Sequence, residues 1–230
     1  AAEVYGTGTG TVSASPPIDL AAGAFVGADT PMTLAAQVTG TGHVFEGWSG
    51  DTTAQGDTLR LAMGRPFVLR ATFAAPLAVS SGPPPQAVMG APYQHQFTAS
   101  GGVDTRTWSF ASGSLPQGLS LAPGGTIVGR PAETGSFALA LQVTSGSQTT
   151  TGAVQLDVVA PVLATSNVVS HLVGATRSLS ADQITYLDLL GNRNGQLDVG
   201  DFLAWVNATG LAVSPELAAQ LSSTRGGERP

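Results

Sequence analysis

The chain reads Phe67-Val68-Leu69-Arg70-Ala71-Thr72-Phe73 near the end of its first third. Side chains alternate between the two faces of a strand, and here Leu69, Ala71 and Phe73 share one face while Arg70 and Thr72 share the other. This pattern predicts a β-strand with one buried face. Around it, 30 Gly and 15 Pro residues and a charged fraction of only 10% favour short strands separated by turns. The sequence therefore predicts a mainly β protein.

The charge balance excludes one large class of partner. The 230 residues include nine basic residues and 15 acidic ones, which gives a net charge of −6. A nucleic-acid-binding surface needs a concentration of basic side chains, and in this chain the acidic residues outnumber the basic ones. The sequence also has 0 Cys, so disulfides, zinc–thiolate sites and thiol nucleophiles are excluded.

Two features bear on location. The sequence starts at Ala1 rather than Met, as it would after removal of a signal peptide, and a trimmed chain would look the same. The most apolar stretch, residues 153–175, is interrupted by Asp157, Pro161 and His171, and is too polar for a membrane-spanning helix. The first feature is compatible with export, and the second predicts no membrane span within this sequence.

Changes in pattern divide the chain into three predicted segments, residues 1–75, 76–160 and 161–230. The second begins just before Ser80-Ser81-Gly82-Pro83-Pro84-Pro85, whose prolines lack N–H donors and cannot join a central strand. It closes with the apolar strand Ala153–Val159, and helical periodicity follows Pro161.

The last segment contains helix start and stop signals. Ser180 and Gln183 have capping-box spacing, and Gly191 is expected to end this helix in the left-handed conformation. A second helix, capped by Asp198 and Asp201, should end by Gly210. Residues 214–216 should open a third, and the polar tail 222–230 becomes ordered only if a partner holds it.

Residues 3–74 resemble the divergent internalin B-type repeat of bacterial surface and secreted proteins. The resemblance rests on Gly8–Val12, Thr33–Ala36, Gly42–Asp51 and Val68–Phe73. It implies a small β-grasp-like domain with Phe45 and Trp48 as core aromatics.

Residues 77–160 resemble the immunoglobulin-like (Ig-like) domain common in bacterial adhesins. Its matching runs are Gly90–Tyr93, Phe97–Gly102, Trp108–Ser109, Ser114–Leu121, Ile127–Pro131 and Thr134–Phe137. The resemblance implies a seven-strand β-sandwich with Trp108 between its sheets, in a family whose members act mostly as spacers and contact surfaces.

Residues 180–208 resemble one half of a dockerin, a helical segment with an EF-hand-like calcium loop. With Gly195 at loop position 6, the resemblance implies a Ca²⁺ ligand set of Asn192, Asn194, the Gln196 carbonyl, Asp198 and Asp201. Leu190 occupies position 1, where an Asp is expected, and Asp188 is the nearest carboxylate. The alternative is a metal-free turn in which Asn and Asp side chains bond the backbone.

A single loop also argues against cohesin docking by a paired dockerin. We predict no catalytic residue: His43, His95 and His171 lie one in each segment, without a nucleophile signature nearby. The three resemblances are all to extracytoplasmic bacterial proteins, and none of them brings an active site. They imply a non-catalytic structural or interaction protein of a bacterium, located in the periplasm, at the cell surface or outside the cell. Its expected partners are other proteins of an envelope or surface complex.

The favoured role is an accessory or scaffold subunit of a larger envelope assembly, such as a photosynthetic or respiratory membrane supercomplex. The alternatives are the C-terminal accessory modules of a secreted hydrolase and a cell-surface adhesin. Carbohydrate binding by a row of exposed aromatics is hard to build from three Trp and three Tyr.

Overall fold

The computed structural model describes residues 1–22, 26–103 and 105–212. The secondary-structure elements described up to residue 159 are β-strands, and three helices follow. The predicted fold class, mainly β with a small helical C-terminal segment, is confirmed. None of the helices in the described part of the chain is long and apolar enough to cross a membrane.

The first segment forms two packed sheets from six strands: β1 (Ala2–Tyr5), β2 (Gly10–Ser15), β3 (Pro31–Val38), β4 (Val44–Gly50), β5 (Thr58–Ala62) and β6 (Leu69–Val79). One sheet has the order β1-β6-β4, with β1 parallel to β6, and the other has the antiparallel order β2-β3-β5. Within residues 1–22 and 26–75 there is no helix across either sheet, which distinguishes this segment from a β-grasp. Gly- and Thr-rich turns, without helical periodicity, connect its strands.

Aromatic side chains fill the space between these two sheets. Trp48 is buried, its Nε1 donates to the Gly56 carbonyl at 3.0 Å, and the Phe45 ring meets it edge-on at 5.4 Å. Phe73, from the stretch that predicted the strand, is fully buried beside Phe45. Trp48 and Phe45 therefore belong to the core of this segment, as the sequence predicted.

The middle segment is a β-sandwich. Its strands are β7 (Ala87–Val88), β8 (Tyr93–Gln96), β9 (Ala99–Gly102), β10 (Thr107–Ser112), β11 (Leu119–Leu121), β12 (Thr126–Gly129), β13 (Gly135–Ser145) and β14 (Gln148–Val159). One sheet has the order β10-β13-β14-β7 and the facing sheet has the order β11-β12-β8. Strand β9 pairs with the end of β6.

Alternating burial along these strands builds the sandwich core. In β13, Leu139, Leu141 and Val143 are buried while the residues between them are more exposed. Trp108 is buried opposite Val143, and its ring centroid lies 6.0 Å from that of Phe97. Trp108 therefore packs between the sheets as predicted.

The predicted boundary at Ala75 lies inside a continuous strand. Strand β6 pairs with β4 through Ala74 and with β9 from Ala75 onward, so its hydrogen-bonding partners change while its extended backbone continues. The division into three domains stays a prediction, but the first two segments meet through a strand rather than a loose linker.

Three helices complete the described chain: α1 (Thr165–Leu172), α2 (Ala181–Leu190) and α3 (Val199–Thr209). The capping box of Ser180 and Gln183 is present at the start of α2, and Gly210 ends α3 in the left-handed conformation. The third predicted helix and the polar tail lie outside the described residues.

The prediction that Gly191 adopts the left-handed conformation is wrong. Its φ is −95°, and the positive φ angles of this turn belong to Arg193 and Gly195. Steric contact explains the glycine instead, because a Cβ at position 191 would lie 2.0 Å from Asp201 Oδ1. The glycine therefore makes room for a buried carboxylate.

The helices pack against the sandwich. Buried side chains of α2 and α3, among them Tyr186, Leu187 and Trp205, belong to the same hydrophobic cluster as the sandwich core. Arg130 joins the two parts at the surface, since its Nη1 donates to the Gly90 carbonyl and to Asp182 Oδ1, both at 2.6 Å. The sandwich thus positions the helical segment.

We expect Trp108→Ala to lower the free energy of unfolding by about 3–5 kcal/mol, because the substitution leaves a cavity between two well-packed sheets. Chemical denaturation followed by fluorescence and circular dichroism measures the loss. Phe110→Ala is the matched control, since Phe110 lies on the same strand but is partly exposed. Equal effects of the two substitutions would contradict the core role of Trp108.

Candidate calcium loop

The predicted calcium ligands cluster where α2 passes into α3. Asp201 is fully buried; its Oδ1 accepts from Asn192 N at 3.1 Å and its Oδ2 accepts from Asp198 N at 2.9 Å. Asp198 in turn accepts from Gly200 N at 2.7 Å and from Asp201 N at 3.3 Å. The two carboxylates therefore cap α3 reciprocally.

Side-chain amides complete this network. Nδ2 of Asn192 and Nδ2 of Asn194 donate to the same oxygen, Asp198 Oδ2, at 2.7 and 3.0 Å. The amide oxygens face the backbone, where Asn192 Oδ1 accepts from Asn194 N and Asn194 Oδ1 accepts from Gln196 N. Each Asn thus bridges the backbone and one carboxylate.

Asp188 joins the loop despite lying inside α2. Its Oδ1 accepts from Gly195 N at 3.0 Å, which ties the last turn of the helix to the tip of the loop. Leu190, at the first loop position, packs against the hydrophobic cluster instead. Gln196 takes part through its backbone N–H, so five of the six predicted residues contribute side chains to one network.

The donor set bears directly on whether the loop fits a cation. A hard cation needs several oxygens converging on one point. Here amide N–H groups face Asp198, and both oxygens of Asp201 accept from backbone N–H groups. Within the described residues, no group of three or more His, Cys, Asp or Glu side chains could hold a metal ion. The loop fits calcium only if the Asn amides turn their oxygens inward.

The charge of Asp198 is stabilised by these bonds. Hydrogen bonding from Asn192 is the largest cause that lowers the pKa of its carboxyl below the ordinary 3.8; burial opposes it, and the N–H groups of Asp201, Gly200 and the Asn194 amide lower the pKa further. The carboxylate is therefore ionised at neutral pH.

The three histidines lie apart and each has a local role. His43 Nδ1 accepts from Thr9 N at 2.8 Å, and His171 Nδ1 is 3.4 Å from Leu179 N. His95 packs edge-on against Phe97, and burial lowers the pKa of its imidazole. The described residues do not bring any two of the three histidines together as a catalytic pair.

A cavity of about 300 Å³ opens between the sheets of the first segment. Its lining is mainly aliphatic and includes Met32, Leu34, Leu61 and Leu69. Asp19 is the single acidic side chain among its described lining residues, and its Oδ1 accepts from the N–H groups of the adjacent turn. This lining lacks the pair of groups that acid–base or nucleophilic catalysis requires.

Sequence reasoning missed a group of polar residues where the first two segments meet, Thr7, Glu46 and Gln148. Each bonds a backbone group distant in sequence, as in the 2.7 Å bond from Ser147 N to Glu46 Oε2, which spans 101 positions. Local patterns carry no signal for such contacts.

Comparison with known proteins identifies the middle segment. Residues 75–159 match the family described as Putative Ig domain. This match confirms the Ig-like prediction for that segment, whereas the internalin-type and dockerin-type resemblances stay predictions. No curated protein matches the chain.

Several solved structures resemble part of the chain at low identity. Protocadherin Gamma B2 extracellular cadherin domains 3–6 share 16% identity at a TM-score of 0.31, over 57% of this chain and 34% of that one. Drosophila OTK extracellular domains 3–5 share 15% at 0.32, over 56% and 39%. A SusE-like surface-located polysaccharide-binding protein of Bacteroides thetaiotaomicron shares 14% at 0.30, over 40% and 17%. The chain thus spans well under half of each of these proteins.

We expect Asp198→Ala to destabilise the helical segment by about 1 kcal/mol, because α3 loses its N-cap. Asp198→Asn is the matched control, since Asn also caps helices well. Because the folded-state pKa lies below 3.8, the carboxylate stabilises the native protein above pH 3.8, and this contribution is lost as the pH falls through the folded-state value.

Denaturation followed by circular dichroism at pH 7 and at pH 3 measures both effects. An Asn variant as unstable as the Ala variant at pH 7 would contradict the capping role.

Proposed function

We propose that this chain is a non-catalytic structural and interaction protein that works outside the cytoplasmic membrane of a bacterium. The observation that carries this proposal is the Ig-like sandwich at residues 75–159, packed against the first segment and the helices. Ig-like sandwiches present sheet faces and edges for contact, and the fold by itself supplies no reaction chemistry.

The hydrogen bonds that the polar side chains make within the protein support a non-catalytic role. Among the described residues, two of the three histidines contact backbone N–H groups, and the carboxylates of Asp198 and Asp201 cap a helix. A catalytic group must keep a lone pair or a proton free for substrate. The second candidate function, accessory modules of a secreted hydrolase, is also non-catalytic in this part of the chain.

The outer face of the β10-β13-β14 sheet is the surface best suited to a protein partner. It presents small, uncharged side chains: Thr107, Ser109, Ala138, Gln142, Thr151 and Ala153. Strand register places Ser109, Gln142 and Thr151 side by side across the three strands. These six side chains carry no charge, and the charged Asp157 lies beyond them on the same side of β14. An uncharged patch of this kind loses less solvation than a charged one when another protein covers it. We call this set of six residues the neutral face.

Within this class, we propose an accessory or scaffold subunit of an envelope assembly, of which a photosynthetic or respiratory supercomplex is one form. A cell-surface adhesin is the alternative. The polar tail that would favour a held subunit lies outside the described residues, so the proposal depends on the Ig-like segment and its neutral face.

We expect the tagged protein to co-purify in fixed stoichiometry with one assembly from envelope membranes of its own cells. Ala153→Arg places a charge in the neutral face and should reduce that recovery, whereas Thr58→Arg, on an exposed strand position of the first segment, should not. Quantitative mass spectrometry after crosslinking measures both. Recovery unchanged by Ala153→Arg would exclude the neutral face as the contact.

Enzyme assays test the alternative that this chain is catalytic. Turnover of a peptide, ester or glycoside substrate that a single His substitution abolishes would overturn the non-catalytic proposal.

We also propose that the α2–α3 loop binds one Ca²⁺ weakly, through Asp188, Asp198, Asp201, the Asn192 and Asn194 side chains and the Gln196 carbonyl. Support comes from hydrogen bonds that tie Asp188, Asp198 and Asp201 to one loop. The three carboxylates do not form a metal-holding group in this arrangement, so they must move together to bind an ion. An ion must displace the amide N–H bonds to Asp198, which opposes binding. Affinity should therefore lie near 10⁻⁴ to 10⁻³ M, roughly the range of extracellular modules.

Calorimetric titration of the full chain with CaCl₂ tests this proposal. We expect weak heats and a small rise in Tm that both disappear in an Asp188→Asn variant, while MgCl₂ gives neither. An absence of calcium-dependent heat in the wild-type protein would mean that the loop is held by its hydrogen bonds alone.

A further inference from the structure

The first segment and the sandwich meet at Ala75, and side chains hydrogen-bond the backbone there. The side chain of Gln148, from the start of β14, donates through Nε2 to the Ala75 carbonyl at 2.9 Å and accepts at Oε1 from Leu77 N at 2.9 Å. One side-chain amide thus bonds the backbone of Ala75 and of Leu77, at the irregularity between Ala75 and Ala78 in the β6–β9 pairing. A flexible linker would leave these backbone groups to water.

Thr7, from the first segment, also hydrogen-bonds the backbone of Ala75. Its hydroxyl accepts from Ala75 N at 3.1 Å and donates to the Gly102 carbonyl, which belongs to the sandwich strand β9. The N–H and the C=O of Ala75 are therefore held by side chains from two different segments. Rotation about the backbone at this residue would break bonds on both sides.

Glu46 provides a third contact, away from β6. It lies in β4 of the first segment, and its Oε2 accepts from Ser147 N, in the turn between β13 and β14, at 2.7 Å. Oε1 is buried at the same place without a hydrogen-bond partner among the described residues. Burying part of a carboxylate has a free-energy cost, and the bond to Ser147 offsets part of it.

Close backbone packing leaves little room for bending. Gly101 has a φ of +74°, and a Cβ at this position would lie 1.9 Å from the Pro76 carbonyl oxygen. Strand β9 therefore approaches the connection more closely than any residue with a side chain would permit. Ala75 of the first segment pairs with Gly102 of β9, so the two segments contact each other through backbone as well as through side chains.

We infer that the first segment and the Ig-like sandwich form a single rigid unit, fixed by a clamp made of Thr7, Glu46 and Gln148. Independent β domains joined by a linker reorient freely, and three separate contacts around one continuous strand prevent this. The inference goes beyond the proposed function, because it assigns a fixed relative orientation whatever the protein binds. A partner held by one segment would then be held at a set angle to the other.

Pulsed electron–electron double resonance, which measures the distance between two spin labels, tests the clamp in the full chain. Because the sequence has 0 Cys, Gln37→Cys and Ala138→Cys introduce a unique pair of spin labels at exposed positions, one in each segment. The clamped protein should give one narrow distance distribution. Glu46→Ala and Gln148→Ala together should broaden it, while circular dichroism verifies that both segments remain folded.

Matched controls separate the clamp from general destabilisation. Glu133 accepts from Gln117 N at 2.7 Å inside the sandwich, so Glu133→Ala removes an equivalent bond without touching the connection. Gln142→Ala, on the neutral face, matches Gln148→Ala. Both controls should keep the narrow distribution. A broad distribution in the unmodified clamp, or a narrow one in the Glu46→Ala/Gln148→Ala variant, would overturn the inference.

Discussion

Strand β6 is the element on which the arrangement of both β segments depends. Its eleven residues, Leu69–Val79, bond to β1 and β4 at one end and to β9 at the other. Backbone N–H and C=O groups must find partners when they leave water. Separating the two segments would expose these groups where the strand changes sheets, so the first segment and the sandwich stabilise one another.

The helical segment depends on the sandwich in a different way, through side chains. Buried residues of α2 and α3 share a hydrophobic cluster with the sandwich, and Arg130 bonds both the Gly90 carbonyl and Asp182 at the surface. Helices of this length are marginal by themselves in water, so packing of this kind supplies most of their stability. The α2–α3 loop is therefore held by helices that the sandwich has already positioned.

The loop also illustrates how one set of residues can support two physical states. Asn and Asp side chains that converge on a turn can satisfy backbone N–H groups, or they can turn their oxygens toward a cation. In this arrangement, Asp198 and Asp201 cap α3 and together accept from six backbone or amide N–H groups. Any calcium affinity must compete with those bonds.

The sequence by itself determined the features that depend on neighbouring residues. Alternation predicted the strand that starts at Leu69, and i to i+3 spacing predicted the Ser180–Gln183 capping box; the aromatic cores at Trp48 and Trp108 followed from family patterns. Tertiary structure alone decided the clamp, because Glu46 meets a residue 101 positions away. It also decided the role of Gly191, which leaves room for the buried Asp201 carboxylate. Local periodicity records what each residue prefers, whereas these contacts exist only after distant strands and helices have packed.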